Sequence, residues 1–219
     1  MEDLLSLQLI GNIRGSKNVK IVTLHPSSQE YGTVKQKFIQ AVFSGRPEWA
    51  NQFNKQTLKV TKIERIQNVS LYKTYSAKKD LLEKQNPRGQ QNEQELWHGT
   101  QDKAILSINM FGFNRSYCSD NSKEGWLGDG VYFSADASYS ARNWLAAGTE
   151  TGDHTIYLCK VLTGVSCKGQ KGTRVPDVRP DGTMLKYDSA TDAKYTPVVE
   201  YVIFNDTQAY PQYCIKFEY

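Results

Sequence analysis

The sequence predicts an α+β domain, with helices mostly early and a mainly antiparallel sheet late. From Glu95 onward short runs alternate apolar and polar residues, at Glu95 to His98, Gly130 to Ser134, Thr155 to Leu162, Val198 to Phe204 and Tyr213 to Tyr219. That is the period of half-buried strands. Before them lie segments of helical character, and no repeat, low-complexity tract or Pro/Gly-rich linker divides the 219 residues. One large domain accommodates that length.

Residues 1–17 read as a loose lead-in, which places the domain at 18–219. Asn18 to His25 sets Val19, Ile21 and Thr23 against Lys20, Val22 and Leu24, a strand signature. Tyr31 to Phe43 predicts a short helix. Gly45 to Gln56, with Pro47 and several Asn and Gln, reads as a loop, and Lys62 to Gln85 as mostly helix with one break. Residues 86–94 (NPRGQQNEQ) are the most loop-like stretch. Further on, Asp136 can N-cap a helix in which Ala137, Ala141, Trp144 and Leu145 keep helical spacing before Gly148 ends it.

Composition narrows the function classes. Lys and Arg number 27 against 23 Asp and Glu, a formal charge of +4, with 39% hydrophobic and 11% aromatic residues. Interspersed signs give no single-sign field of the kind a dedicated nucleic-acid or membrane-surface binder presents. A nucleic-acid face built from Lys160, Lys168, Lys171 and Arg174 is therefore the weaker reading, and a pocket is sought before a patch. No run reaches six consecutive apolar residues, far from the ~18 of a membrane helix. Met1-Glu2-Asp3 puts acids where a secretory signal would be basic. Four cysteines without a CxxC pair, beside three histidines, argue against a disulfide framework or a zinc site. The expectation is a reducing, intracellular compartment, nucleus or cytoplasm, with no membrane association.

Three features can carry chemistry. His98 ends a short strand and is followed at once by Gly99 and Thr100, an opening that suits close ligand approach. The alternative is a histidine satisfied inside the fold. In GWLGDGVYFSADASYS (125–140) a glycine-rich turn leads into a strand bearing Tyr132, then into the helix capped at Asp136. Ser140 and Trp144, four apart on that helix, share a face, so tyrosine, hydroxyl and indole can sandwich a flat heterocycle. Core aromatics would look the same. Finally, Glu200 shares a strand face with Val202 and Phe204, where a carboxylate is poorly solvated and needs a hydrogen-bond or charge partner. An edge-strand glutamate facing water is the other reading.

Taken together, LWHGT (96–100), GFNRS (112–116), GDGVYFSADASYSA (128–141) and EYVIFNDTQAYPQY (200–213) resemble the catalytic domain of the poly(ADP-ribose) polymerase family. The similarity runs from about Asn18, through IERIQN (63–68), to the C-terminus. It is nearest to the branch whose members carry macrodomains or WWE domains elsewhere in longer chains. The family's His-Tyr-Glu signature falls on His98, Tyr132 and Glu200. That branch usually replaces the glutamate, and such members are expected to transfer a single ADP-ribose, so branch and triad point different ways.

The resemblance implies the ADP-ribosyltransferase fold, two packed mainly antiparallel sheets with flanking helices and a split NAD+ cleft. It implies that His98 hydrogen-bonds a ribose hydroxyl of NAD+, that the Gly99 backbone and Ser140 hold the nicotinamide carboxamide, and that Tyr132 stacks on the nicotinamide ring. Trp144 or Tyr139 would be the opposite stacking partner. Thr100, Asn114 and Arg115 would lie toward the adenosine and pyrophosphate end, under a loop spanning 114–128. NAD+ is then the co-substrate, and no metal is called for. The reaction implied is a glycosyl transfer: cleavage of the nicotinamide glycosidic bond with passage of ADP-ribose to protein side chains, the chain itself included. Nucleic-acid ends remain an alternative acceptor, and a monomer is expected. The segment between 162–164 and Glu200, which holds the acceptor-facing loop, is short, and no upstream helical regulatory domain fits in the ~95 residues before HGT. Single units or short chains are therefore favoured over long polymers, with chain elongation, or a non-catalytic NAD or ADP-ribose binding module, as alternatives.

Overall fold

The computed structural model describes residues 18–117, 125–142, 145–146, 152–192 and 195–219. The lead-in 1–17, Cys118 and Trp144 therefore lie outside the described residues.

Strand β5 (His154–Leu162) shows why the sheet sits at the centre of the molecule. Its alternate residues are apolar on both faces. Ile156 and Leu158 join one buried cluster, while Tyr157, Cys159 and Val161 join another. Such a strand must be covered on both sides, each large apolar side chain gaining about 1.5–3 kcal/mol from burial.

One cover is α1 (Gln29–Phe43), which buries Tyr31, Val34, Phe38 and Val42 at helical spacing against Ile63, Leu158 and Phe217. It starts where the Ser28 hydroxyl accepts from the Tyr31 N–H at 3.2 Å, an N-cap worth about 1 kcal/mol. On the other face lie Ile108 of α4 (Asp102–Phe111) and Phe113 just beyond it.

The remaining elements are β1 (Val19–Thr23), α2 (Pro47–Ala50), β2 (Lys59–Asn68), α3 (Val69–Gln85), β3 (Glu93–Thr100), β4 (Val131–Ser134), α5 (Ala137–Ser140), β6 (Ser166–Lys168), β7 (Ser189–Thr191), β8 (Glu200–Ile203) and β9 (Ala209–Glu218). Among the described residues, 9 strands form a sheet of order β1-β2-β9-β5-β3-β4-β8-β7-β6. All neighbours are antiparallel except the β6–β7 pair. β3 follows β5 from Glu93 to Thr100, but it meets β4 at the single pair Trp97↔Ser134. The expected pair of packed sheets is therefore two mostly antiparallel halves of one sheet, joined at the single residue pair Trp97↔Ser134.

Several element boundaries differ from expectation. Lys62 to Asn68, expected within a helix, belongs to β2, whose backbone pairs with β1 on one side and β9 on the other. Two ladders outweigh the helix preference of Lys, Glu and Arg. The predicted break falls at Asn68, whose side chain caps α3 by accepting from the Leu71 N–H at 3.1 Å. The 45–56 loop contains α2, with Pro47 in its first turn. α4 falls where the sequence reading predicts no element. β3 begins at Glu93, inside the stretch read as loop, and β9 begins at Ala209 rather than Tyr213.

Candidate active site

Where β3 and β4 part, the fold leaves a cleft of about 830 Å³, lined among others by His98, Gly99, Thr100, Tyr132, Ser140 and Glu200. The volume is in the upper part of the usual small-molecule range. Its walls come from both halves of the sheet.

His98 stands at the end of β3. Its Nδ1 lies 2.8 Å from the Tyr132 carbonyl oxygen. A carbonyl only accepts, so Nδ1 carries the proton, and the neutral ring is left with Nε2 as an acceptor. Burial pushes the His98 pKa below its ordinary value, the carbonyl contact opposing this only in part. The ring is held edge-on by Phe113 and tilted against Phe133, with centroids at 4.9 and 5.4 Å.

Tyr132 is locked through its hydroxyl, which donates to the Gly128 carbonyl at 2.9 Å and accepts from the Leu127 N–H at 3.0 Å. Gly128, at φ 131°, permits the preceding turn to fold back beneath the ring. α5 then closes over the end of β3. Asp136 caps it by accepting from Ser138 and Tyr139, and Ser140 Oγ donates to the Trp97 carbonyl at 3.2 Å. The approach is close enough that a Cβ on Gly99 would stand 2.1 Å from the Ser140 carbonyl oxygen. Glycine at 99 thus lets α5 pack directly onto the end of β3. The Ser140 hydroxyl, expected to face a ligand amide, lines the cleft while bonded to the β3 backbone.

Glu200 is 4% exposed. β8 lies between β4 and β7, so Glu200 is not on a sheet edge, and its residue pair is Ser134. Its Oε1 accepts from the Tyr139 hydroxyl at 2.6 Å. Its backbone N–H donates to Asp192 Oδ2 at 2.5 Å, the same oxygen that holds Val199 N–H at 3.0 Å. Asp192 therefore sets the backbone from which Glu200 projects. Tyr139 is gripped in turn, with the Arg142 guanidinium 3.9 Å from its ring centroid and the Trp49 ring at 4.7 Å, edge to face. Burial, then the Glu200 charge, raises the Tyr139 phenol well above its ordinary value, so it remains a donor.

The structure distributes the sequence candidates unevenly. His98, Gly99, Thr100, Asn114, Tyr132, Tyr139, Ser140 and Glu200 all line the cleft. Tyr139, expected as a ring stacker, offers its hydroxyl to Glu200 while Arg142 covers its ring. Trp144, the other candidate stacker, lies outside the described residues, as do 118–124 of the expected donor loop. Arg115 does not line the cleft. Its guanidinium donates to the carbonyls of Phe204 at 2.8 Å and Arg174 at 3.3 Å, beside a separate cavity of about 250 Å³. The position expected at the pyrophosphate end is thus tied down elsewhere, by carbonyl oxygens that need a donor. Asp192, Phe113 and the Tyr139–Glu200 contact were missed from sequence. A phenol 61 positions from its carboxylate leaves no local signal. Among the described residues no three His, Cys, Asp or Glu side chains are grouped to hold a metal ion, and no helix is long and apolar enough to cross a membrane.

Comparison with known proteins decides the family. A sequence model of the poly(ADP-ribose) polymerase catalytic domain matches residues 28–219. The chain belongs to this family. It is 37% identical over 202 residues to the human (Homo sapiens) protein mono-ADP-ribosyltransferase PARP14, covering 92% of this chain and 10% of that protein. It is 32% identical over 198 residues to the mouse (Mus musculus) protein mono-ADP-ribosyltransferase PARP10, covering 90% of this chain and 19% of the relative. Human protein mono-ADP-ribosyltransferase PARP12 gives 32% over 199 residues, 90% of this chain and 25% of the relative. The chain thus spans from a tenth to a quarter of the length of these curated relatives. Its nine-stranded, mostly antiparallel sheet with flanking helices is the family's catalytic fold.

Proposed function

We propose that the domain, taken as 18–219, is an NAD+-dependent protein ADP-ribosyltransferase that adds single ADP-ribose units, or short chains, to protein side chains, its own included. The observation that carries this reading is the convergence of His98, Tyr132 and Glu200, the family's signature residues, on one cleft at the seam of the sheet. The names of the relatives support single-unit transfer, since each of the three is a mono-ADP-ribosyltransferase.

The cleft fits NAD+ on its own terms. It is large and mostly apolar, with a locked aromatic ring for the nicotinamide, the Gly99 backbone for the carboxamide, and polar groups at Thr100 and Asn114 toward the far end. His98 Nε2, the free acceptor, takes the hydrogen of a ribose hydroxyl and so sets the sugar's orientation.

Chemistry follows from the buried carboxylate. As the nicotinamide leaves with the electrons of its glycosidic bond, positive charge grows on the ribose carbon, as in glycoside cleavage generally. Glu200, accepting from the 2′-hydroxyl of that ribose, feeds electron density to the centre at a site poorly screened by water. Tyr139 holds the carboxylate in place for this. Thr100, Asn114, Ser140 and the Gly99 backbone position the donor without taking part in bond changes. The acceptors are proteins in a reducing intracellular compartment.

Two measurements test the proposal on one sample: nicotinamide release from NAD+, and mass spectrometry of the modified chain for adducts of one ADP-ribose per site. Release with such adducts is the expected outcome. A purified, folded domain that binds NAD+ without releasing nicotinamide would restore the binding-module reading. Adducts dominated by long chains would overturn the single-unit preference.

A further inference from the structure

Glu200 poses a question that its position in the triad leaves open. Transfer to an acceptor that is already ionised needs no base: the C–N bond breaks, the acceptor oxygen's lone pair forms the new C–O bond, and nicotinamide departs with the old bonding pair. Chain growth differs, because the acceptor is a ribose hydroxyl. There a C–O bond forms while an O–H bond breaks, and the proton must pass to a base. In this cleft Glu200 is the carboxylate at hand, and a tyrosine hydroxyl already donates to it at 2.6 Å.

A donor hydrogen bond stabilises the ionised carboxylate and weakens it as a base. It leaves the negative charge in place, so the stabilisation of positive charge on the ribose is retained. Resting on the transferase reading above, we propose that Tyr139 is a specificity-determining positioning residue: by donating to Glu200 Oε1 it restrains that carboxylate from accepting a proton, and so favours single-unit transfer over chain growth in a site with an intact triad.

The fold gives the contact permanence. Tyr139 sits in the single turn of α5, whose start is capped by Asp136, and Trp49 and Arg142 pack on its ring. Its burial and the Glu200 charge keep the phenol protonated, hence always a donor. Among the described residues, the other charged or titratable groups around the pair include Arg142 beside the phenol ring, Asp192 beneath the β8 backbone, and His98 and Tyr132 on the cleft walls contributed by β3 and β4. Tyr139→Phe removes the phenol's contacts with Glu200 and with Arg142 and keeps the ring on which Trp49 and Arg142 pack.

The test compares the unsubstituted domain with Tyr139→Phe, which keeps the packed ring. Intact-mass spectrometry counts ADP-ribose units per chain, and nicotinamide release is followed against pH. The share of multi-unit adducts is expected to rise on the order of tenfold, part of the 10²–10⁴ that a positioned base contributes. The acidic limb of release should move up by about 1–2 pH units, the worth of one hydrogen bond to a charged group. Single-unit adducts with an unmoved limb overturn the inference. If Tyr139→Phe melts below the assay temperature, a ring-fluorinated tyrosine at 139 replaces it. That more acidic phenol donates more strongly, so the limb should move down, and an unmoved limb overturns the inference equally. An unsubstituted domain that releases no nicotinamide is a different result: it removes the transferase reading, and this inference with it.

Discussion

The two halves of the sheet are built differently, and the cleft needs both. On one side β2, β9, β5 and β3 are long strands in extended register, with β5 buried on both faces. On the other, β4, β8, β7 and β6 are strands of 3 or 4 residues, tied by loops and side chains such as Asp192. His98 stands on the long-stranded half, Tyr132 and Glu200 on the short-stranded half. The halves meet at Trp97↔Ser134 and are bridged nearby by the His98–Tyr132 and Ser140–Trp97 hydrogen bonds. The difference teaches that the first half supplies a rigid frame, whereas the geometry of the reactive groups depends on a few polar contacts across a narrow seam.

The largest effect should come from the short-stranded half's own chemistry. Glu200→Gln keeps an acceptor for Tyr139 but removes the charge, and transfer should fall on the order of 10²–10³-fold while binding of a non-cleavable NAD+ analogue persists. Rates of nicotinamide release, beside the analogue's Kd, check both halves of that statement; full activity would take Glu200 out of the mechanism.

Next is the seam itself. Gly99→Ala drives a methyl into the Ser140 carbonyl, 2.1 Å from the ideal Cβ. α5 must retreat from β3, at about 1–3 kcal/mol of stability, with loss of nicotinamide-site binding. Urea unfolding and the ligand-induced rise in Tm read the two consequences; an alanine variant with unchanged values for both would show that the packing of α5 on β3 is slack.

The frame's contribution is tested by pH. Burial holds the folded-state pKa of His98 below its ordinary value, while the unfolded chain titrates near 6.5. Its contribution to stability is therefore complete above about pH 6.5 and is lost as pH falls toward the folded value, with a slope of at most about 1.4 kcal/mol per pH unit. Tm scanned from about pH 7.5 to about pH 5 should fall more steeply for the unsubstituted domain than for His98→Gln, which cannot titrate. Parallel curves would mean that His98 is as easily protonated folded as unfolded.

Smallest is a change outside the cleft. Arg115→Ala removes donors to the Phe204 and Arg174 carbonyls and should cost about 1 kcal/mol of stability, leaving NAD+ affinity unaltered. A tenfold loss of affinity would place Arg115 at the donor after all and move the boundary of the site toward the smaller cavity.

Much of the fold was legible where alternation was clean. α1 announces itself because each residue's burial follows from its place in a period of 3.6, and β5 because its run is apolar on both faces. β2 was not legible, since its Lys, Glu and Arg suit a helix and only pairing with β1 and β9 makes it a strand. Within the site, the odd carboxylate at 200 could be flagged from its apolar strand face, but whether that strand was edge or interior depended on β7 lying beyond it.

By itself the sequence determined the alternation that makes the sheet, the capped turn at Asp136, the glycine at 99, and the motif order that marks the family. These are local, or read as fixed strings. Only the tertiary structure decided that Tyr139 serves Glu200 and that Arg115 is spent on backbone carbonyls. The physical reason is that hydrogen-bond partners are chosen by three-dimensional proximity: Tyr139 and Glu200 lie 61 residues apart in the chain, and Arg115 and Phe204 lie 89 apart.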